Sequence, residues 1–154
     1  MEITAFDLAQ RYVGIHELAG TEDHPLIRWW LSLCGFPAGN VHDEVPWCSA
    51  FVNGIAWELR LPRTKSAAAR SWLTVGRPIS LSDAGADASV VILKRGDGSQ
   101  PGPEILKAQG HVGFYAGMDT DSDHLLVLGG NQDNGVSIER FPVDRVLGVR
   151  WLST

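Results

Sequence analysis

Midway along the chain the hydrophobic period changes, and that change restricts the fold more than any other feature. Up to about residue 75 apolar residues recur at helical spacing; beyond Pro78 they fall in short β-branched or aromatic runs separated by glycine, aspartate and proline. The spacing predicts helices over residues 4–13, 25–33 and 46–59, with a short alanine-rich fourth at 66–73 closed by Gly76. Thr21 or Asp23 is a candidate cap for the second, which Gly35 and Pro37 would stop. Residues 89–94, 111–116, 125–128, 136–141 and 146–151 read as strands, and 95–110 as a mobile surface loop. Helices first and strands second is the α+β order: N-terminal helices packed on a mostly antiparallel sheet of about five strands.

At 154 residues, with 44% hydrophobic and 20% charged residues, the chain suits a single domain over 1–154 that can bury its own core. A formal net charge of -5 argues against a nucleic-acid surface, because phosphate binding needs a basic face. No apolar run approaches the length of about 18 residues that a membrane span needs, and Met1-Glu2-Ile3-Thr4 opens neither a basic nor an apolar leader. The expectation is a monomer made in the cytoplasm without a signal peptide. Any work beyond the membrane would then depend on another agent for release.

Three places invite chemistry. Pro46 suits a first helical turn, which puts Cys48 at a helix N-terminus, where the dipole favours thiolate over thiol. Cys48, Phe51, Val52, Ile55 and Leu59 share one apolar stripe, so nucleophile and small core residue are both open readings of the sulfur. Cys34, in an apolar helix, reads as core, and two cysteines are too few for a disulfide framework or a four-thiolate zinc site; a Cys34–Cys48 disulfide is not excluded by sequence. His111 begins a strand in which it shares a face with Gly113 and Tyr115, and Gly113 would let a helix pack close beside it. A histidine at a strand end bonded to a loop is the plainer alternative.

The third place is Leu128-Gly129-Gly130-Asn131-Gln132, an apolar strand ending in two glycines and two amides. An imidazole paired with a thiol needs a partner for its other nitrogen, and the Asn131 amide oxygen can serve; Asp133-Asn134-Gly135 behind it equally makes Asn131 part of a turn. The five histidines show no His-Glu-plus-His helical spacing, so neither a metal nor a cofactor is expected. Trp47 could wall a substrate groove or fill the core, and His42, Asp43 and Glu44 could meet an amine-bearing peptide or form a solvated loop. The acidic run Asp119 to Asp123 lacks the glycine and distal glutamate of a calcium loop and reads as a hairpin connection.

Five blocks, in order, carry a family resemblance: Trp47-Cys48-Ser49-Ala50-Phe51-Val52-Asn53, Ala69-Arg70-Ser71-Trp72-Leu73, Gly110-His111-Val112-Gly113-Phe114, Leu128-Gly129-Gly130-Asn131-Gln132 and Val146-Leu147-Gly148-Val149-Arg150. Over about residues 5–152 the chain resembles the small bacterial and phage papain-like cysteine peptidases of the CHAP and NlpC-type cell-wall hydrolases. The resemblance implies a papain-like α+β fold, a nucleophile at Cys48, a general base at His111 and a third polar residue at Asn131. It implies peptidoglycan as partner, cut within the stem peptide or at the N-acetylmuramoyl-L-alanine amide, by a phage endolysin or a secreted wall-degrading toxin. Trp47, Asp43 and Gln132 would then border the substrate. Many CHAP enzymes carry a glutamate two positions before the matching asparagine; Gly129 stands there, so that carboxylate's role is absent or taken by Gln132. Related sequences tend to open the first strand with Gly-Asp, where this one has Asp87-Ala88-Ser89, a lost turn preference. The competing classes are a non-catalytic wall- or protein-binding module on the same fold, and a thiol deamidase or transferase acting on a host protein.

Overall fold

The computed structural model describes residues 1–19, 23–36, 46–96 and 98–153. Its first half supplies helices α1 (Ala5–Gln10), α2 (Pro25–Ser32) and α3 (Cys48–Glu58) and a 3₁₀ turn over Ala69–Thr74. Its second half supplies β1 (Arg77–Ile79), β2 (Ser89–Lys94), β3 (Gly110–Met118), β4 (His124–Gln132), β5 (Gly135–Pro142) and β6 (Val146–Trp151). These strands form one antiparallel sheet in the order β1-β6-β2-β3-β4-β5. The α+β expectation is met with six strands in place of about five. The unexpected strand, β1, is three residues centred on Pro78 and pairs only with β6, an edge position where a missing N–H is tolerated.

Local chemistry explains the helix ends. Thr4 and Asp7 cap α1 reciprocally, each backbone N–H donating to the other's side chain at 3.1 Å. This helix stops short of residue 13 because the chain beyond it pairs with the start of β5: Gly14 N–H donates to Val136 O, Val136 N–H to Ile15 O and Glu17 N–H to Asn134 O. α2 is capped by His24, whose Nδ1 accepts from Leu26 N–H, with Pro25 at the first helical position; Thr21 and Pro37 lie outside the described residues. The fourth helix is a 3₁₀ turn instead. There Ser71 and Thr74 hydroxyls donate to the carbonyls of Ala68 and Ser71, offering the backbone an alternative to α-helical bonding.

α3 is the hub. Residues Cys48 to Ala56 are all buried, so the helix is enclosed on every side rather than along one stripe. Its apolar residues pack with Tyr12, Trp30 and Phe114 in an edge-to-face aromatic cluster around Phe51. Its polar residues face the chain that follows: Ser49 Oγ donates to Ser66 O, Trp72 Nε1 donates to Ser49 Oγ, and Asn53 binds Thr64 and Lys65. One core cluster fills the space between helices and sheet, including Val90, Ile92, Val112, Phe114 and Leu128. A second lies on the opposite face, around Val91, Leu93, Tyr115, Leu125, Val127 and Val149, with Ile79, Leu81, Phe141 and Val143 packed against it. Phe141 on β5 stacks on His111 two strands away, ring centroids 5.3 Å apart, so the sheet curls toward that second face.

Candidate active site

Cys48 is the first residue of α3, behind Trp47 at the N-cap and with Pro46 one residue earlier still, so the proline precedes the helix instead of opening it. Trp47 makes no side-chain cap, and the first intrahelical bond runs from Phe51 N–H to Trp47 O at 2.9 Å. The Cys48 N–H is therefore one of the opening donors that a helix leaves without an internal acceptor. The helix tip is held rigidly from behind. Trp47 is fully buried, stacks on Trp30 at 5.9 Å and donates from Nε1 to Glu17 Oε1 at 2.8 Å. That makes it a core residue and removes it from the wall of any groove.

His111 lies opposite Leu93 near the start of β3. By alternation its side chain belongs to the second face, with Gly113 and Tyr115, while Val112 and Phe114 pack under α3. The imidazole nevertheless acts on the thiol: His111 lowers the Cys48 pKa by hydrogen bonding and charge, and Cys48 in turn raises that of His111. Gly113 is not what admits the helix: a Cβ there would strike Val127 Cγ1 and Leu128 O of β4. The close approach of α3 falls at Gly130, where a Cβ would lie 2.5 Å from the Trp47 ring and 2.8 Å from Phe51 Cβ.

The ring's other partner is Gln132, not Asn131. His111 Nε2 and Gln132 Oε1 are 2.8 Å apart, and the Gln132 amide nitrogen donates to Ser137 O at 2.8 Å and Val127 O at 3.2 Å. With its NH₂ committed to two carbonyls, Gln132 can offer the ring only an oxygen; His111 Nε2 must carry the hydrogen, leaving Nδ1 as the nitrogen that can take up or give a proton. Simple alternation from Val127 through Gly129 would have aimed Asn131 at this face. The β4–β5 register instead slips by one between Gly129↔Ser137 and Gln132↔Gly135, with Asn131 in a left-handed conformation at φ 56°. This bulge exchanges the two amides, and Asp133 and Asn134, both at positive φ, form the hairpin turn behind it. Gly129 leaves the path open, since a Cβ there would lie 2.6 Å from Gln132 Oε1 and 3.3 Å from His111 Nε2. A glycine at this position, two residues before the first of the paired amides, is the trace in the sequence that another side chain approaches the ring.

Burial alone would push the Cys48 thiol up, but the His111 hydrogen bond and charge, a backbone hydrogen bond from Val112 and the Arg95 guanidinium outweigh it and hold the thiol below its ordinary value. Burial likewise depresses His111; the hydrogen bond and charge of Cys48, with Gln132, outweigh it and raise the imidazole above its ordinary value, against a smaller opposition from Arg95. The pair is thus disposed toward thiolate and imidazolium. Both cysteines are free, and Cys34 behaves in the opposite way, pushed up to about 11 mainly by burial despite Arg63 nearby.

Two clefts open beside this pair, one on each residue. One, of about 520 Å³, opens on the His111 side and is lined by Asn131 and Gln132. The other, of about 360 Å³, opens on the Cys48 side beside Ala67, Ala68 and Gln109, and Arg95 borders both. The loop expected to be mobile is anchored where it forms the second cleft. Arg70, fully buried, donates through Nε to Gln109 O, through Nη1 to Gly102 O and Ile105 O, and through Nη2 to Pro101 O. Sequence reasoning passed over this arginine; its place between two core residues, Ala69 and Trp72, in an otherwise apolar stretch was the signal. Asp43, with His42 and Glu44, lies outside the described residues. Asp119 to Asp123 forms the β3–β4 hairpin connection, its Asp119 and Asp121 paired with Arg140. Among the described residues no group of three histidine, cysteine or carboxylate side chains converges on a metal position, and no helix is long and apolar enough to cross a membrane.

No family model, curated protein or solved structure matches this chain.

Proposed function

We propose that the protein is a thiol hydrolase of papain-like plan that cuts amide bonds of bacterial peptidoglycan, within the stem peptide or at the N-acetylmuramoyl-L-alanine bond. The Cys48–His111 pair, each shifting the other toward its charged form, with the thiol at a helix tip and the imidazole oriented by Gln132, is the observation that carries it. The substrate class rests on the sequence resemblance alone, and the route to it is release by a holin or a secretion machine. All three side chains come from one chain, so a monomer suffices.

In the forward step the Cys48 thiolate adds to the amide carbonyl carbon, and the electron pair of the C=O bond moves onto oxygen. The Cys48 N–H, ahead of the first intrahelical hydrogen bond, is a ready donor to that oxyanion. Collapse expels the amine, which takes the proton from His111 Nδ1 and leaves an acyl-thioester. Neutral His111 then removes a proton from water as the water attacks the thioester, releasing the acid and restoring the pair. Gln132 holds the ring in one orientation throughout, and no step calls for a metal or cofactor.

The test is clearing of purified peptidoglycan by the wild type and by Cys48→Ala, with mass spectrometry of the soluble products. Clearing by wild type only, with new amine and carboxyl ends, is expected. Equal clearing by both would end the thiol mechanism; clearing by neither would favour a binding module or a transferase with another substrate.

A further inference from the structure

Because the imidazole must hand its proton to the departing nitrogen, the leaving half of the substrate lies on the His111 side of the scissile carbonyl, and the acyl half on the Cys48 side. The two clefts separate in the same way, His111 lining one and Cys48 the other. Their charge is not that of the molecule. Against a formal net charge of -5, the His111 cleft is lined by Lys94, Arg95, Arg140 and Arg145, opposed by Asp133 and Glu139.

These cations are not equivalent. Arg140 is engaged by Asp119 and Asp121 at the rim. Among the described residues no ion pair involves Lys94, Arg95 or Arg145. Arg145, at the end of the 3₁₀ turn Val143–Arg145, goes further: its Nη2 is shielded from solvent and has no hydrogen-bond partner among the described residues. A buried donor without an acceptor is costly, and a guanidinium presents its donors in a planar fork that fits a carboxylate.

Resting on the hydrolase reading above, we infer that the His111 cleft is the leaving-group subsite and selects an amine fragment carrying a free carboxylate, received by Arg145 with Lys94 and Arg95 beside it. Specificity then lies in the product amine rather than in the acyl half. An amino acid or short peptide with its carboxylate unmodified fits; the same fragment as a carboxamide presents no charge and leaves the Arg145 fork without an anion.

The experiment uses the full chain and, once wall digests have identified the bond, two synthetic stem peptides containing it that differ only in a free or amidated carboxyl on the leaving fragment. Wild type is expected to show kcat/KM at least about tenfold higher for the free carboxylate, mostly through KM. Arg145→Gln is expected to bring that ratio close to one, and Arg145→Lys to restore part of it. Lys94→Gln provides a second variant that narrows the ratio should Arg145→Gln melt early. Equal cleavage of both peptides by wild type, or an unchanged ratio in folded Arg145→Gln, would overturn the inference and leave the hydrolase reading standing. Cleavage of neither peptide by an enzyme that digests wall would likewise overturn the inference, whereas failure to digest wall at all would already have removed the hydrolase reading.

Discussion

At the scale of single residues, the site depends on which atom of each polar side chain is committed elsewhere. Gln132 donates both ways into backbone carbonyls and so must accept from the ring; among the described residues no hydrogen bond holds the Asn131 side chain, which lines the cleft beyond it. Gln132→Ala is therefore expected to lower kcat about 10- to 100-fold, the equivalent of one buried hydrogen bond that orients the base, whereas Asn131→Ala should fall several-fold at most. Steady-state kinetics on wall fragments compares them directly, and a larger loss in Asn131→Ala would reverse the assignment. The two thiols offer a second comparison. Cys48 is held below the ordinary value of 9.0 and Cys34 is pushed up to about 11, so thiolate appears at Cys48 first as pH rises. Iodoacetamide at pH 7 should label Cys48 well before Cys34, followed by peptide mapping. Activity should rise as Cys48 ionises and fall when His111 loses its proton, on the alkaline side of the ordinary imidazole value of 6.5.

At the scale of elements, two adjacent glycines at the end of β4 do different work. A methyl at Gly130 meets the ring of a fully buried tryptophan and the Cβ of Phe51, neither of which can give way inside the core. A methyl at Gly129 meets the buried amide end of Gln132 and, beyond it, His111 Nε2, so it would displace that amide from the ring and from its two carbonyls. Gly130→Ala is expected to lower stability by about 1–3 kcal/mol in urea unfolding, as overpacked cores do. Gly129→Ala should lose activity about as Gln132→Ala does, with a stability cost close to that variant's because the same buried hydrogen bonds are lost. A Gly130→Ala variant as stable as wild type, or a Gly129→Ala variant as active, would contradict the packing described. The same logic of close approach shapes the helical layer, where Gly54 lets the Trp30 ring lie against α3. Nearby, the Arg70 guanidinium substitutes for secondary structure by gathering four carbonyls of a loop that has no ladder of its own.

At the scale of the whole molecule, a net charge of -5 surrounds a cleft bordered by Lys94, Arg95 and Arg145. The two should respond oppositely to salt. Raising ionic strength from about 0.01 to 0.15 M shortens the Debye length from about 30 to 8 Å, relieving long-range repulsion between an acidic protein and an anionic wall. Clearing of whole wall is expected to speed up over that range, while KM for a small carboxylate peptide rises as attraction in the cleft is screened. Turbidity and peptide kinetics in parallel would read this, and a common direction would refute the division of charge.

How much of this was legible beforehand follows from the range of the interactions involved. The α+β order, five of the six strands and the placing of Cys48 in an opening helical turn rest on hydrophobic period and on chemistry within a few residues, which a chain carries wherever it goes. The edge strand at Pro78, the 3₁₀ turn at Ala69–Thr74 and the early stop of α1 were not legible, because each is settled by partners far along the chain or by local hydroxyls competing with the helix. Cys48 and His111 were evident as candidates from sequence. That the two act on each other depends on where α3 is anchored through Trp47, which no local pattern sets. The choice of Gln132 over Asn131 turned on one extra residue in β4, since a strand's side chains change face with every single-residue slip and only the pairing with β5 sets where the slip occurs.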